Sequence, residues 1–389
     1  MIKKLLLATL TVFSFVGLTA CGNEGKKLNA EEAKQEIKLA QQNTAKAIKE
    51  GKGIKIDVNG KVESTVSAKN IKVDSNLGSL IPEIKTAKLQ ASFSTKESLA
   101  FDIANFKGKA TASENASVKF NYTAGDKTEK FEVTSKGEGE AYLIKNENKL
   151  NLYAKGELKN TFNLPDSYKD SIDQDKLKDL SGKINIGYEI DPEDNNDIND
   201  LIGLITSGSY EEMITEYDLS TLIQDWTIFT KKGNTLSADC SNLKAFGVDE
   251  KTLTDLAAMG LTLKISKFEL GLNKDNYITS FDFDASLKGS VDLSKQEIDK
   301  DDIVDLITKF KPEYATMLNM ITINGMSGTI TVDASCALGY DVTYNPGTIS
   351  VPEDLAKTEE TDLMTIFAAI FGGIDSSEAA VTPANSTVE

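Results

Sequence analysis

Carboxylates are the most abundant groups in this chain that could do acid–base chemistry. Sixty acidic residues stand against 43 basic ones, a net charge of -17. Asp282 and Asp284 flank Phe283, and a pair of carboxylates can act as acid and base in glycan hydrolysis. A period of two puts both on one strand face, opposite Phe281, Phe283 and Ala285. That face is most simply the solvated one. The run Asp191, Glu193, Asp194, Asp197 and Asp200 offers the oxygen ligands that calcium takes. It fails the EF-hand pattern, with Asn196 where glycine is needed and Ile202 where glutamate is needed. A solvated loop ahead of a helix N-terminus is the better reading, and no metal site is expected.

What is missing narrows the chemistry further. There is no histidine, and every basic residue is lysine. The usual general base and transition-metal ligand is therefore absent, as is the bidentate clamp for phosphate. The acidic balance argues against nucleic acid as a partner. No nucleophile stands with a base beside it, so the chain is expected to be non-catalytic and without a cofactor.

The N-terminus carries a more specific signal. Lys3 and Lys4 precede an apolar run over 5–16, and Leu18-Thr19-Ala20-Cys21 follows. Charge, apolar run and small-residue box come in the order of an export signal, and the run is short for a membrane span. The segment resembles the signal peptide of a bacterial lipoprotein, whose lipobox reads Leu, a short residue, Ala or Gly, then Cys. The resemblance implies removal of residues 1–20 and a diacylglycerol on the sulfur of Cys21. The membrane is then a partner, and the location is the extracytoplasmic side of the cell envelope. Gly22 lacks the aspartate that resembles an inner-membrane retention signal; in a cell with two membranes that leaves outer-membrane sorting open. Residues 21–27 would be the tether. An exported compartment permits a disulfide between Cys240 and Cys336; two buried thiols acting as small hydrophobes is the equal alternative.

The elements behind the tether are legible from periodicity. Asn29 with Glu32 three on forms a capping box, and Ala33, Ile37, Ala40, Thr44 and Ile48 share one helical face. Gly51 and Gly53 stop that helix. From 54 to 190 the chain alternates as strands, apolar on one side and polar on the other, the pattern of an antiparallel sheet with one solvated face. Asn59-Gly60 predicts a hairpin. Residues 191–225 interrupt the strands, and Ser209 with Glu212 offers another capping box. Strands resume near 226, a short helix is predicted over 251–259, and a hairpin turns at Lys274-Asp-Asn276. Ser294 with Glu297 caps a further helix bearing Ile303, Val304, Leu306 and Ile307. Strands over 321–326 and 330–344 close a domain spanning 28–354, with 191–225 its only candidate subdivision. An apolar helix in 355–374 and a disordered tail over 375–389 follow.

The expected fold class is α+β: a single large curved antiparallel β-sheet, a half-barrel, with helices packed on its concave side. The order of elements, and the ending Ala337-Leu-Gly-Tyr-Asp-Val-Thr-Tyr-Asn345 followed by Ile349-Ser-Val-Pro-Glu353, resemble extracytoplasmic lipoproteins of the LolA/LolB/LppX-like group. That resemblance implies an unclosed barrel around a greasy cavity for acyl chains. Its walls would be Phe101, Ile103, Leu263, Ile265, Phe281, Phe283, Ile330 and Val332; the alternative is that the same residues fill an ordinary core. The expected function is a membrane-anchored lipoprotein that binds or carries a lipid or other apolar ligand. The rivals are a surface adhesin, structural or partner-binding lipoprotein, and a carboxylate-based glycan hydrolase.

Overall fold

A computed structural model describes residues 26–51, 53–76, 83–146, 149–165, 181–190, 229–246, 248–295 and 323–352. The strands are β1 Lys26–Leu28, β2 Gly53–Ser75, β3 Ile84–Asp102, β4 Lys107–Ala124, β5 Lys127–Asn146, β6 Lys149–Asn163, β7 Gly182–Ile190, β8 Phe229–Lys232, β9 Thr235–Ala238, β10 Leu261–Leu272, β11 Ile278–Asp292 and β12 Ile323–Tyr344. The helices are α1 Ala30–Gly51 and α2 Glu250–Ala258. All twelve strands form one sheet in the order β1-β8-β9-β10-β11-β12-β2-β3-β4-β5-β6-β7. Strands from both sides of residues 191–228 therefore share one hydrogen-bonded ladder, joined where β12 pairs with β2 from Tyr344↔Ile54 to Ile323↔Ser75.

The capping box forms as its spacing predicts. Asn29 N–H donates to Glu32 Oε2 at 3.0 Å, and Glu32 N–H donates to Asn29 Oδ1 at 2.9 Å. Ala33, Ile37, Ala40, Thr44 and Ile48 are all buried. A helix of 22 residues is about 33 Å long at 1.5 Å per residue. The six strand-to-strand steps from β1 to β2 span about 29 Å at 4.8 Å each. The helix starts beside β1 and ends at the start of β2, so its length matches the crossing. Small alanines let it lie close. Asn29→Ala removes the cap and is expected to cost about 1 kcal/mol, read from urea unfolding; a midpoint unchanged from wild type would contradict this.

The main core lies under α1. Ala33, Ile37 and Ala40 pack with Ile56, Phe281, Tyr340 and Val342. Phe281 is 0% exposed, stacks on Tyr340 at 5.3 Å and meets Phe268 edge-on at 4.8 Å. Backbone polar groups at this end find partners too: Ile278 N–H donates to Thr44 Oγ1 at 3.0 Å, and the Tyr344 hydroxyl donates to the Ile278 carbonyl. Burial pushes the Tyr340 phenol far above its ordinary range. An unfolded tyrosine ionises near about pH 10, while this one stays neutral. The stability it contributes is thus intact below about pH 10 and falls as pH rises beyond it. Unfolding midpoints between pH 8 and 11 should decline less steeply in Tyr340→Phe than in wild type; parallel declines would contradict the burial effect.

The fold class expected from the sequence is corrected. The described residues are 69% strand and 16% helical, so the protein is mostly β, and over most of the sheet no described helix packs against it. Contact by α1 is confined to one end, and α2 has no buried residue. A half-barrel wrapped around helices is therefore not the architecture. The long strands satisfy one another's backbones in a ladder of twelve, whose outermost described strands are β1 and β7. The expected helices near 209, over 296–310 and in 355–374, the acidic run of 191–200 and Cys21 lie outside the described residues.

The Asn59-Gly60 hairpin is also corrected. Both residues sit inside the unbroken strand β2. Asn59 is opposite Lys96 on one side and Gly339 on the other, and Gly60 lies between Thr95 and Leu338. Neither residue has a positive φ, which a type I′ turn requires. Pairing on both sides along the whole strand outweighs a two-residue turn preference. The turn at Lys274-Asp-Asn276 does form, with Asn276 at φ 59°.

Candidate functional site: the open apolar half of the sheet

Alternation gives the sheet two unlike faces. The polar face is laced by cross-strand ion pairs, including Lys119–Glu132 at 2.6 Å, Lys155–Glu140 at 2.8 Å and Lys288–Asp333 at 2.9 Å. Directly opposed unlike charges of this kind suit a solvated antiparallel face. On Glu140, hydrogen bonds from Lys155 and then Tyr142 hold the carboxyl below its ordinary range.

Among the described residues, α1 covers the apolar face at one end. Farther along the same strands five large side chains are open: Val62 at 45%, Leu89 at 40%, Phe93 at 39%, Val118 at 47% and Leu158 at 39% exposure. The register brings them together. Val62 is opposite Phe93, Phe93 opposite Ala116, Ala91 opposite Val118, and Leu158 opposite Gly137. They occupy levels that correspond to positions 60 to 66 of β2 and spread from β2 to β6. That is about 20 Å along the strands and about 19 Å across them. Phe120 and Phe131, with ring centroids 6.1 Å apart, lie half-buried in the same area. Glu97 is exposed on this face between the patch and the helix-covered end, and Glu114 is exposed within the patch, in the same row as Leu158. The area that holds these side chains is roughly 400 Å²; Thr95, Glu114, Ser135 and Asn160 share the face within it, and exposed apolar surface of a few hundred Å² is often functional.

The eight side chains expected to wall one cavity are not gathered together. Ile265 and Phe281 are buried in the core beneath α1, and Phe283 packs against it. Phe101 is opposite Ile54 and makes an edge contact with Phe106 at 5.5 Å. Ile103 sits in the β3–β4 turn, its carbonyl accepting from Phe106 N–H at 3.4 Å. Leu263, Ile330 and Val332 lie half-buried toward the opposite end. Val332 pairs with Val66 and Ile330 with Ala68, twelve and fourteen positions along β2 from the level of Phe101, or roughly 40 Å and more. Apart from Ile103 in its turn, these residues lie on one face of the sheet, but they are too far apart along it to wall a single enclosure. The residues that do cluster, Val62, Leu89, Phe93, Val118 and Leu158, were visible in the sequence as strand residues. The available signal was their excess over what one thin, alanine-rich helix can cover.

Neither Cys240 nor Cys336 is in a disulfide. Cys240 follows β9 and is buried, while Cys336 is on β12 opposite Val62 and Ala285. Three strand steps separate β9 from β12, about 14 Å, beyond the reach of a disulfide. Of the two thiols, Cys240 is buried and Cys336 is half-buried.

Asp282 and Asp284 lie on the polar face beside an open groove of about 360 Å³. Lys61 and Lys96 are on its other side. Asp282 is held by Lys267 at 3.0 Å, so the nearest partner of this carboxylate is a cation rather than a second acid. Among the described residues no cluster of three or more Asp, Glu, Cys or His is arranged to hold a metal ion.

No protein-family model matches the sequence, and no curated protein matches it. The transport unit of the autotransporter AIDA-I from Escherichia coli, a solved structure, aligns with 78% of this chain and 99% of its own at 6% identity. Its TM-score of 0.08 is too low to inform fold or function.

Proposed function

We propose that this chain is a membrane-anchored extracytoplasmic lipoprotein that holds a lipid or other apolar ligand on the open half of its apolar sheet face. The lipobox-like Leu18-Thr19-Ala20-Cys21 supports the anchor. The observation that carries the binding role is the patch of Val62, Leu89, Phe93, Val118 and Leu158, left open by every described element. Burying such surface is favourable by about 25 cal/mol per Å², and the sheet presents it already formed. Glu97 at its border and Glu114 within it disfavour an anionic ligand, so a neutral acyl lipid fits best. The role is non-catalytic. A fluorescent monoacylglycerol titrated into the protein should bind saturably, with a blue shift on entering an apolar site. A linear, unsaturable signal would overturn the reading. The rival partner-binding role draws on the same open face, because a flat patch also suits a protein surface; it predicts no saturable uptake of the probe.

A further inference from the structure

The edge of the sheet nearest the N-terminus has a charge unlike the rest of the chain. β1 and β8 together hold four lysines, Lys26, Lys27, Lys231 and Lys232, and no acidic residue, in a chain of net charge -17. The pairing Lys26↔Lys231, Lys27↔Thr230 and Leu28↔Phe229 sorts them by face. Leu28 and Phe229 point into the core, so Lys26 and Lys231 share the helix side. There α1 answers them: Lys26 pairs with Glu32 at 3.1 Å and Lys231 with Glu36 at 2.7 Å. Lys27 and Lys232 are diagonal neighbours on the other side, both exposed. Asp239 is close enough to feel Lys27, but its carboxyl is held down first by hydrogen bonds from Ser241.

Covalent geometry fixes where this edge can go. Five residue steps separate Cys21 from Lys26, the first residue of β1, a reach of at most about 18 Å. The far strand, β7, is eleven strand steps away, about 53 Å. A lipid on Cys21 therefore brings β1 and β8 to the membrane surface and leaves β7 free to stand away from it.

We propose that the β1–β8 edge is a membrane-contact surface that binds anionic phospholipid headgroups through Lys27 and Lys232. Lys26 and Lys231, paired with Glu32 and Glu36, fix the edge to α1. This rests on the lipoprotein reading above. The contact would orient the sheet relative to the bilayer, a constraint that a short tether alone does not supply. A lysine close to an anionic membrane surface gains about fivefold in local partitioning.

The test uses the full-length protein purified from membranes of the producing cell. Its intact mass first shows whether Cys21 carries acyl chains. The protein is then placed in vesicles of phosphatidylcholine alone, or with one quarter phosphatidylglycerol, and its lysines are briefly acetylated and quantified by peptide mass spectrometry. Lys27 and Lys232 are expected to react about fivefold more slowly on the anionic vesicles. High salt should remove the difference, and Lys159 and Lys183 on the far strands should not change. Equal reactivity of Lys27 and Lys232 on both vesicles, in protein acylated at Cys21, overturns the headgroup contact alone. So does uniform slowing that includes Lys159 and Lys183. An unacylated Cys21 overturns the anchor reading, and the contact with it.

Discussion

Phe281→Ala is expected to destabilise the protein by about 3–5 kcal/mol. Phe281 is fully buried, and its ring is held by two aromatic neighbours, Tyr340 and Phe268. It lies at the level of Val58 and Tyr340, where α1 closes over the sheet. Truncation would leave a cavity bounded by β strands on one side and a helix of small residues on the other. Neither side can collapse without breaking a ladder or the helix crossing. A typical domain has only about 5–15 kcal/mol in total, so this one change would remove much of the margin. Phe93→Ala is the control: the same chemical change at a side chain 39% exposed is expected to cost under about 1 kcal/mol. Urea unfolding of the two variants, with slopes compared to wild type, measures the difference. Equal losses would mean that the open half of the face is as well packed as the half under α1.

The second large effect concerns binding. Val62, Leu89, Phe93 and Val118 changed together to threonine should lower affinity for a neutral acyl probe by about a hundredfold or more. Each side chain presents open apolar surface worth about 1 kcal/mol against a ligand, and each 1.4 kcal/mol is about a factor of ten. Threonine is β-branched and suits a strand, so the ladder should survive. Because these side chains are partly exposed, the variant should lower the unfolding midpoint but still fold cooperatively. Unchanged affinity in a folded variant would take the ligand away from this face. Lost affinity with a collapsed midpoint would instead show that the four residues hold the fold.

The local parts of the fold were legible in the sequence. The Asn29–Glu32 box and the face of α1 depend on residues three and four apart, and a single helix turn fixes both. The division of each strand into an apolar and a polar face was legible for the same reason, since alternation is local. What alternation does not carry is level and neighbour. Phe101 and Val332 share a face, yet their distance depends on the register of β12 against β2, Tyr344↔Ile54 to Ile323↔Ser75. Those two strands lie far apart in the chain, and register is a property of the pair rather than of either strand. Cys240 and Cys336 both read as strand cysteines, and only the order β9-β10-β11-β12 separates them. Asn59-Gly60 misleads because its turn chemistry is local while the pairing that overrides it comes from Lys96, Thr95, Leu338 and Gly339. The excess of strand over helix was not legible either, because the half-barrel expectation came from the order of elements rather than from any pairing.

The most direct test of the ligand-binding account is organic extraction and mass spectrometry of residues 22–389, produced without the leader and purified without detergent. This form lacks Cys21, so any lipid recovered is a bound ligand and not the anchor. The account predicts a neutral acyl lipid at close to one copy per chain. Protein that yields no lipid, and that also fails to take up the monoacylglycerol probe, would contradict it.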